Sequence, residues 1–196
     1  MTKRLFDFFA TLIALILLSA VFLIIALLIV FTSRGGVFYC QERIGKNQRK
    51  FMLYKFRSMR INADKEGLLT VGGRDKRTTS IGYYLRKYKL DELPQLLNIL
   101  KNDMSIVGPR PEVEKYVKFY TAEQLQVLNV KPGLTDLASL AYIDENEILA
   151  HADDPEKVYV QEILPKKLGL NLQYIQQQSI CFDLKIIYRT LKKIIR

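Results

Sequence analysis

From Phe8 to Ser33 the chain runs 26 positions without a charged residue, and the stretch TLIALILLSAVFLIIALLIVF within it is almost wholly aliphatic. As a helix these positions reach about 39 Å at 1.5 Å per residue, more than the roughly 30 Å hydrocarbon core of a bilayer. The run exceeds the apolar region of a signal peptide and has no small-x-small cleavage site before charges resume. It therefore predicts a membrane-inserted helix in residues 1–33, leaving 34–196 as the folded domain. Only Lys3 and Arg4 precede the apolar run, whereas Arg34, Arg43, Lys46, Arg49, Lys50, Lys55 and Arg57 follow it. That asymmetry orients the domain to the cytoplasm. Basic residues on both flanks also suit a helix that dips in and returns, so a span and a re-entrant hairpin both stay open, with Ser19 as the candidate bend.

The charge is placed as unevenly as the apolar surface. Residues 34–110 carry 17 basic and 7 acidic side chains, against 11 and 12 in 111–196. Such a field suits an anionic partner: phosphate esters, acidic lipid heads or nucleic acid. With 196 residues, one domain with a real core is expected. Cys40, Cys181 and the single histidine, His151, form neither a disulfide framework nor a zinc pattern.

Local patterns outline the domain. GGVFYCQERIG and KFMLYKFRSM, rich in aromatic and β-branched residues and split by a turn, read as a hairpin. INADKEGLLTVGGRDKRTTS is a polar loop, IGYYLRKYK a short helix, and Asp91 to about Lys101 a second helix with Leu93, Leu96, Leu97 and Leu100 on one side. Residues 112–129 look helical, VKPGLTD is a turn, and 155–196 are mainly helical with a break at Leu168–Leu170. The C-terminal segment places Ile180, Leu184, Ile187, Leu191 and Ile194 on one stripe and Lys185, Arg189, Lys192 and Arg196 on the next. This is a basic amphipathic helix, suited to lie on anionic lipid or to pack on the core, with membrane lipid the preferred partner. The fold expected is a helix-dominated α+β domain with short strands on a hydrophobic anchor.

Chemistry concentrates at LDELPQLLNILKNDMSIVGPRP, residues 90–111. Asp91 and Glu92 could simply cap a helix and complement its dipole. Arg86, Lys87 and Lys89 precede them, however, and Arg110 sits in a turn stiffened by two prolines. Carboxylates amid arginines at a helix start can ligate Mg²⁺ and neutralise phosphate oxygens. An ionised Asp is also a competent nucleophile at phosphorus, and a neighbouring Glu can position or deprotonate an acceptor.

These residues fall within longer motifs: YKFRSMR at 54–60, DKRTTSIGYYLRKYKLDELPQLLNILKNDMSIVGPRP at 75–111, KPGLTD at 131–136 and FDLKII at 182–187. With the N-terminal apolar segment, they make the chain resemble the small monotopic phosphoglycosyl transferases of the bacterial sugar transferase family. The resemblance implies transfer of a sugar 1-phosphate from a UDP-sugar to a polyprenyl phosphate such as undecaprenyl phosphate, with Mg²⁺ and release of UMP, at the cytoplasmic face of the bacterial inner membrane. It puts the covalent nucleophile, also a metal ligand, on Asp91 and its partner on Glu92. It assigns phosphate binding to Arg86 and Arg110, with Lys55 and Arg57 in the same basic site. A homodimer is compatible with it.

Two departures from the family pattern matter. Ser19 is followed by Ala20 where the family commonly has Ser-Pro, so a re-entrant shape is implied by the resemblance alone. After the Pro-Gly turn comes LASLAYIDENEILAHADDPEK in place of a glutamine- and asparagine-containing stretch, which leaves the sugar undefined. The acidic residues of that stretch have no ligand spacing and read as a solvated loop. A membrane-tethered nucleic-acid binder lacks a recognisable fold signature here, so nucleic acid is not an expected partner. A non-catalytic scaffold of glycan assembly would not need the intact Asp-Glu pair.

Overall fold

The structure, a computed structural model, describes residues 2–67, 69–72 and 75–194. Leu68, Gly73 and Arg74 of the expected polar loop, and Arg196 of the expected basic stripe, lie outside them. The first element is α1 (Thr2–Thr32), 31 residues long and helical without interruption through Ser19, whose Oγ donates to the Ile16 carbonyl at 2.8 Å. One face of α1 is laid on the domain along its whole length, stepping by three or four residues through Asp7, Thr11, Leu15, Leu18, Phe22, Ile25 and Ile29. The opposite face is bare hydrocarbon, with Leu17 75% and Phe31 83% exposed.

Both ends of α1 are tied to the same domain. At the start, Arg4 donates to the carbonyls of Ile99 and Leu100 at 2.6 and 3.0 Å, and Asp7 accepts from Ser105 Oγ at 2.7 Å. At the end, the Arg57 guanidinium donates to the Ser33 and Arg34 carbonyls. Carbonyls at a helix C-terminus lack intrahelical partners, and a guanidinium fork satisfies two of them at once.

The expected hairpin is β1 (Phe38–Ile44) antiparallel to β2 (Lys50–Phe56), with Tyr39 opposite Lys55 and Gln41 opposite Leu53. Next comes α2 (Ser80–Lys87), capped by Thr79, whose side chain accepts from the Gly82 N–H. The helix expected from Asp91 begins later, as α3 (Gln95–Leu100). Pro94 has no N–H to extend the ladder backwards. The chain from Leu90 to Glu92 therefore forms a 3₁₀ turn, with i→i+3 bonds from Glu92 N–H to Lys89 and from Leu93 N–H to Leu90. The buried face of α3 is Leu96 and Ile99, while Leu97 is 37% exposed.

Beyond α3 the sequence reading needs three further corrections. VKPGLTD is not a turn alone: β4 (Gly133–Thr135) pairs in parallel with β3 (Ser105–Val107). Between these strands, residues 112–129 hold only α4 (Glu114–Val117) and a 3₁₀ turn at Gln124–Asn129. Thr121 and Gln124 exchange side chain to backbone bonds at 2.9 and 3.2 Å, a capping box that starts a new turn and interrupts the run. After β4 come α5 (Leu137–Ala141), α6 (Glu145–Ala150) and α7 (Pro155–Val158), then a wide helical turn into α8 (Leu164–Gln176). The break expected at Leu168–Leu170 falls instead after Gln176, before α9 (Ile180–Ile194).

The α1 stripe meets Leu53 and Phe56 of β2, Leu85 of α2, and Leu96 and Ile99 of α3. On the far side of the hairpin, Tyr116, Val127, Leu149, Tyr159 and Leu168 form the larger core. Of the expected α9 stripe, Ile180, Leu184 and Leu191 are exposed together with Tyr188, and it is Asp183 and Ile186 that face inward.

The short parallel pair permits no side chain at its crossing. A Cβ on Gly133 would lie 2.1 Å from the Gly108 nitrogen and 2.4 Å from its oxygen, backbone atoms that cannot swing away. Gly133→Ala is therefore expected to cost at least about 2 kcal/mol and to loosen the loop that carries Arg110. A thermal unfolding midpoint equal to wild type would contradict this.

Candidate active site

The 3₁₀ turn decides how the two carboxylates are used. At three residues per turn, neighbouring side chains diverge by about 120°. Lys89, in the left-handed region at φ +56°, aims the turn into the domain, and Asp91 and Glu92 become 6% and 9% exposed. Neither side chain caps a helix, which sets aside the ordinary reading of such a pair.

Glu92 turns towards two cations. Its Oε1 accepts from Lys55 Nζ at 3.0 Å and from Arg110 Nη2 at 2.6 Å, and its Oε2 lies 3.4 Å from Arg110 Nη1. Burial alone would raise its pKa, but Arg110 and Lys55 outweigh burial and hold the carboxyl well below the usual range. The Arg110 guanidinium is driven further up by Glu92 against its own burial, whereas burial brings Lys55 down despite Glu92.

Asp91 turns away from that clamp. Its carboxylate makes no hydrogen bond or ion pair among the described residues, and burial followed by Glu92 raises its pKa against the pull of Lys55 and Arg86. One carboxylate is thus anchored and fully ionised, while its neighbour is desolvated and unpartnered at the wall of a cavity of about 840 Å³.

All six residues singled out in the sequence line this cavity: Lys55, Arg57, Arg86, Asp91, Glu92 and Arg110. Their local engagements differ. Arg86, in the last turn of α2, donates one bond to Thr70 Oγ1 at 2.7 Å. Arg57 has both terminal nitrogens on the end of α1, including a 2.9 Å bond to Ser33 Oγ, so its evident task is to hold the anchor. Arg43, read from the sequence only as one of the orienting charges, enters the same wall from β1. It donates to the Pro111 carbonyl at 3.2 Å and to Gln41 Oε1 at 2.7 Å, and lies 3.8 Å from Glu112. The two-residue alternation Tyr39, Gln41, Arg43 is the signal that could have found it, since all three line the cavity.

The arginine loop is held from three sides. Gly108 N–H donates to Thr135 at 3.1 Å, Gly133 N–H to Pro109 at 2.9 Å, and Arg43 grips Pro111. Arg110 therefore reaches Glu92 from a fixed backbone.

As for Mg²⁺, no group of three or more His, Cys, Asp or Glu side chains forms a metal cluster among the described residues. Mg²⁺ does not require one, because it commonly keeps waters and uses one or two carboxylates plus substrate phosphates. Asp91, without a partner among the described residues, can supply the one carboxylate of that mode, and the nearby cations are left to meet substrate phosphates.

A model of the bacterial sugar transferase family matches residues 1–196. The exopolysaccharide production protein ExoY of Rhizobium meliloti is 37% identical, the alignment covering 97% of this chain and 84% of that protein. The UDP-N-acetylgalactosamine-undecaprenyl-phosphate N-acetylgalactosaminephosphotransferase of Aeromonas hydrophila is 34% identical across 98% of this chain and 43% of its own length. The UDP-glucose:undecaprenyl-phosphate glucose-1-phosphate transferase of Klebsiella pneumoniae is 36% identical across 97% and 39%. The chain thus spans most of the rhizobial protein and less than half of the other two. With one family matched from end to end and the anchor, hairpin and arginine loop all inside the aligned length, the chain belongs to the bacterial sugar transferase family.

Proposed function

We propose that the protein transfers a sugar 1-phosphate from a UDP-sugar to a polyprenyl phosphate, releasing UMP. The observation that carries this reading is the division of labour in the carboxylate pair: Glu92 neutralises Lys55 and Arg110, while Asp91 stays unpartnered at the cavity wall. The relatives named for transfer onto undecaprenyl phosphate supply the substrate class.

In the first step an Asp91 carboxylate oxygen bonds to the sugar-bearing phosphorus. The bond from that phosphorus to the bridging oxygen breaks, and UMP leaves with the electron pair. In the second step a phosphate oxygen of the polyprenyl phosphate attacks the same phosphorus. The acyl-phosphate bond breaks, regenerating Asp91 and yielding the polyprenyl diphosphate sugar. Covalent catalysis of this kind divides one displacement into two easier ones. Mg²⁺, held by Asp91 and substrate oxygens, would supply charge neutralisation for an anionic nucleophile meeting an anionic phosphate. Arg86 and Arg110 supply the remaining positive charge. Glu92, held so far below its usual range, is a weak base, and its part is to fix Lys55 and Arg110 in place.

The membrane arrangement proposed is monotopic. One domain grips Lys3 and Arg4 at one end of α1 and the Ser33–Arg34 carbonyls at the other, an arrangement that leaves no 30 Å hydrocarbon layer between the two ends. The exposed apolar faces of α1 and α9 would meet lipid, and the excess of basic residues after α1 favours the cytoplasmic face of the inner membrane.

The test is UMP release by the purified protein from a panel of UDP-sugars with undecaprenyl phosphate and Mg²⁺. Release with one or a few sugars is expected, and it falls away without Mg²⁺ or acceptor under multiple-turnover conditions. Silence across a broad panel from folded protein would favour the non-catalytic scaffold.

A further inference from the structure

The cavity that holds Asp91 has two kinds of lining. One is cationic, with Arg43, Arg86 and Arg110. The other is hydrocarbon, from three elements in mutual contact: Leu134 of β4, Leu140 of α5, and Ile187, Leu191 and Ile194 of α9. On the same wall Thr135 and Thr190 bond to each other through their hydroxyls at 2.7 Å, so neither hydroxyl demands a partner from whatever fills the space. Lys193 Nζ donates to the Leu140 carbonyl at 2.7 Å and holds the last turn of α9 against α5.

The wall formed by α9 is a second stripe, distinct from its outward face. Ile187, Leu191 and Ile194, at i, i+4 and i+7, line the cavity, whereas Leu184 and Tyr188 point away from it and are 49% and 67% exposed. Leu191 is common to both: it lines the cavity and is itself 55% exposed. At Leu191, therefore, the hydrocarbon lining of the cavity meets the outward apolar face of α9.

We infer that this seam between α5, β4 and α9 holds the first isoprene units of the lipid-phosphate acceptor, whose tail leaves past Leu191. The inference rests on the reaction proposed above. An amphiphile with a phosphate head and a hydrocarbon tail matches both kinds of lining, and a nucleotide sugar matches only the cationic one. A volume of about 840 Å³ is near the upper end for a single small-ligand site. That leaves room for a nucleotide sugar and a short length of tail, while the rest of the tail stays among lipids.

The test compares polar substitutions on the two stripes of one helix in detergent micelles, where anchoring to a bilayer no longer limits access. Ile187→Gln and Ile194→Gln alter the cavity wall; Leu184→Gln and Tyr188→Gln put the same amide on the outward face. With the UDP-sugar that the panel identifies, the wall variants are expected to raise the KM for undecaprenyl phosphate about fivefold to tenfold, the effect of losing one or two apolar contacts. The KM for the UDP-sugar should stay within about twofold. The outward-face variants should weaken flotation with anionic vesicles and leave the acceptor KM in micelles unchanged. Equal effects from both stripes would reduce α9 to an anchor and overturn the inference, as would an unchanged acceptor KM in the wall variants. If wild-type protein releases no UMP from any sugar, the proposed reaction has failed. The seam is then judged by retention of undecaprenyl phosphate in native mass spectrometry: selective loss from the wall variants supports it, and equal retention by all four variants overturns it.

Discussion

Asp91→Asn is expected to lower multiple-turnover UMP release by at least about 10⁴-fold, the scale seen when a covalent nucleophile is removed, while the protein stays folded and membrane-bound. The amide keeps the shape of the side chain and loses only the negative charge that the proposed first step needs. No second carboxylate can stand in, because Glu92 is held by Lys55 and Arg110. The pH dependence carries the same signature. In the free protein burial and then Glu92 raise the Asp91 pKa, so under the proposed mechanism kcat/KM for the UDP-sugar, which reports the free enzyme, should begin to fall in acid at a pH above the ordinary carboxylate range. Stability is expected to move the other way. A carboxyl whose folded pKa exceeds its unfolded value contributes stability at low pH that is lost as pH rises through the folded pKa. At neutral pH the ionised Asp91 therefore costs stability, and the Asn variant should unfold at the same temperature as wild type or higher. Residual turnover above about one per cent of wild type would remove Asp91 from the nucleophile's role.

Glu92→Gln should do the opposite to stability. The substitution leaves the Lys55 ammonium and the Arg110 guanidinium facing each other with no negative charge between them, in a site where Lys55 is already strained by burial. Removing one partner of a buried ion pair costs about 3 kcal/mol. For a chain of this length that corresponds to roughly 6–12 °C in the unfolding midpoint. Because the Glu92 pKa is depressed in the folded protein, its contribution is present above the unfolded carboxylate pKa and lost as pH falls through the folded one. The gap between wild type and variant should accordingly narrow in acid. Thermal unfolding in micelles at neutral and acidic pH measures both quantities. A variant as stable as wild type at neutral pH would mean that the Lys55–Glu92–Arg110 cluster does not hold the site together.

Much of this molecule is legible from its residues because the relevant signals are local. An unbroken run of aliphatic residues makes a helix wherever lipid is available, and alternating aromatic and β-branched residues around a short turn make a hairpin. The motifs at 54–60 and 75–111 led directly to six of the residues that line the cavity. The misjudged boundaries share a different cause. Apolar spacing alone starts the helix at Asp91, and counting Pro94 as a missing donor for the preceding turn moves the start to Gln95. The second sheet has only three residues per strand and pairs segments 28 positions apart, Ser105 with Gly133. No periodicity can be read in so short a strand, and the pairing exists only because the glycine backbones at Gly108 and Gly133 approach closely.

The sequence by itself determined the membrane anchor, the family motifs and the pair of adjacent carboxylates. It did not distinguish the two carboxylates from each other, nor could it show that Arg57 caps α1 while Arg110 clamps Glu92. Those assignments depend on which cation reaches which oxygen across separations of 18 to 37 residues, and burial then multiplies the energetic difference between a paired and an unpaired charge. Only the tertiary structure brings Lys55 and Arg110 to one side of a 3₁₀ turn, and that is why Glu92 is held and Asp91 is left without a partner among the described residues.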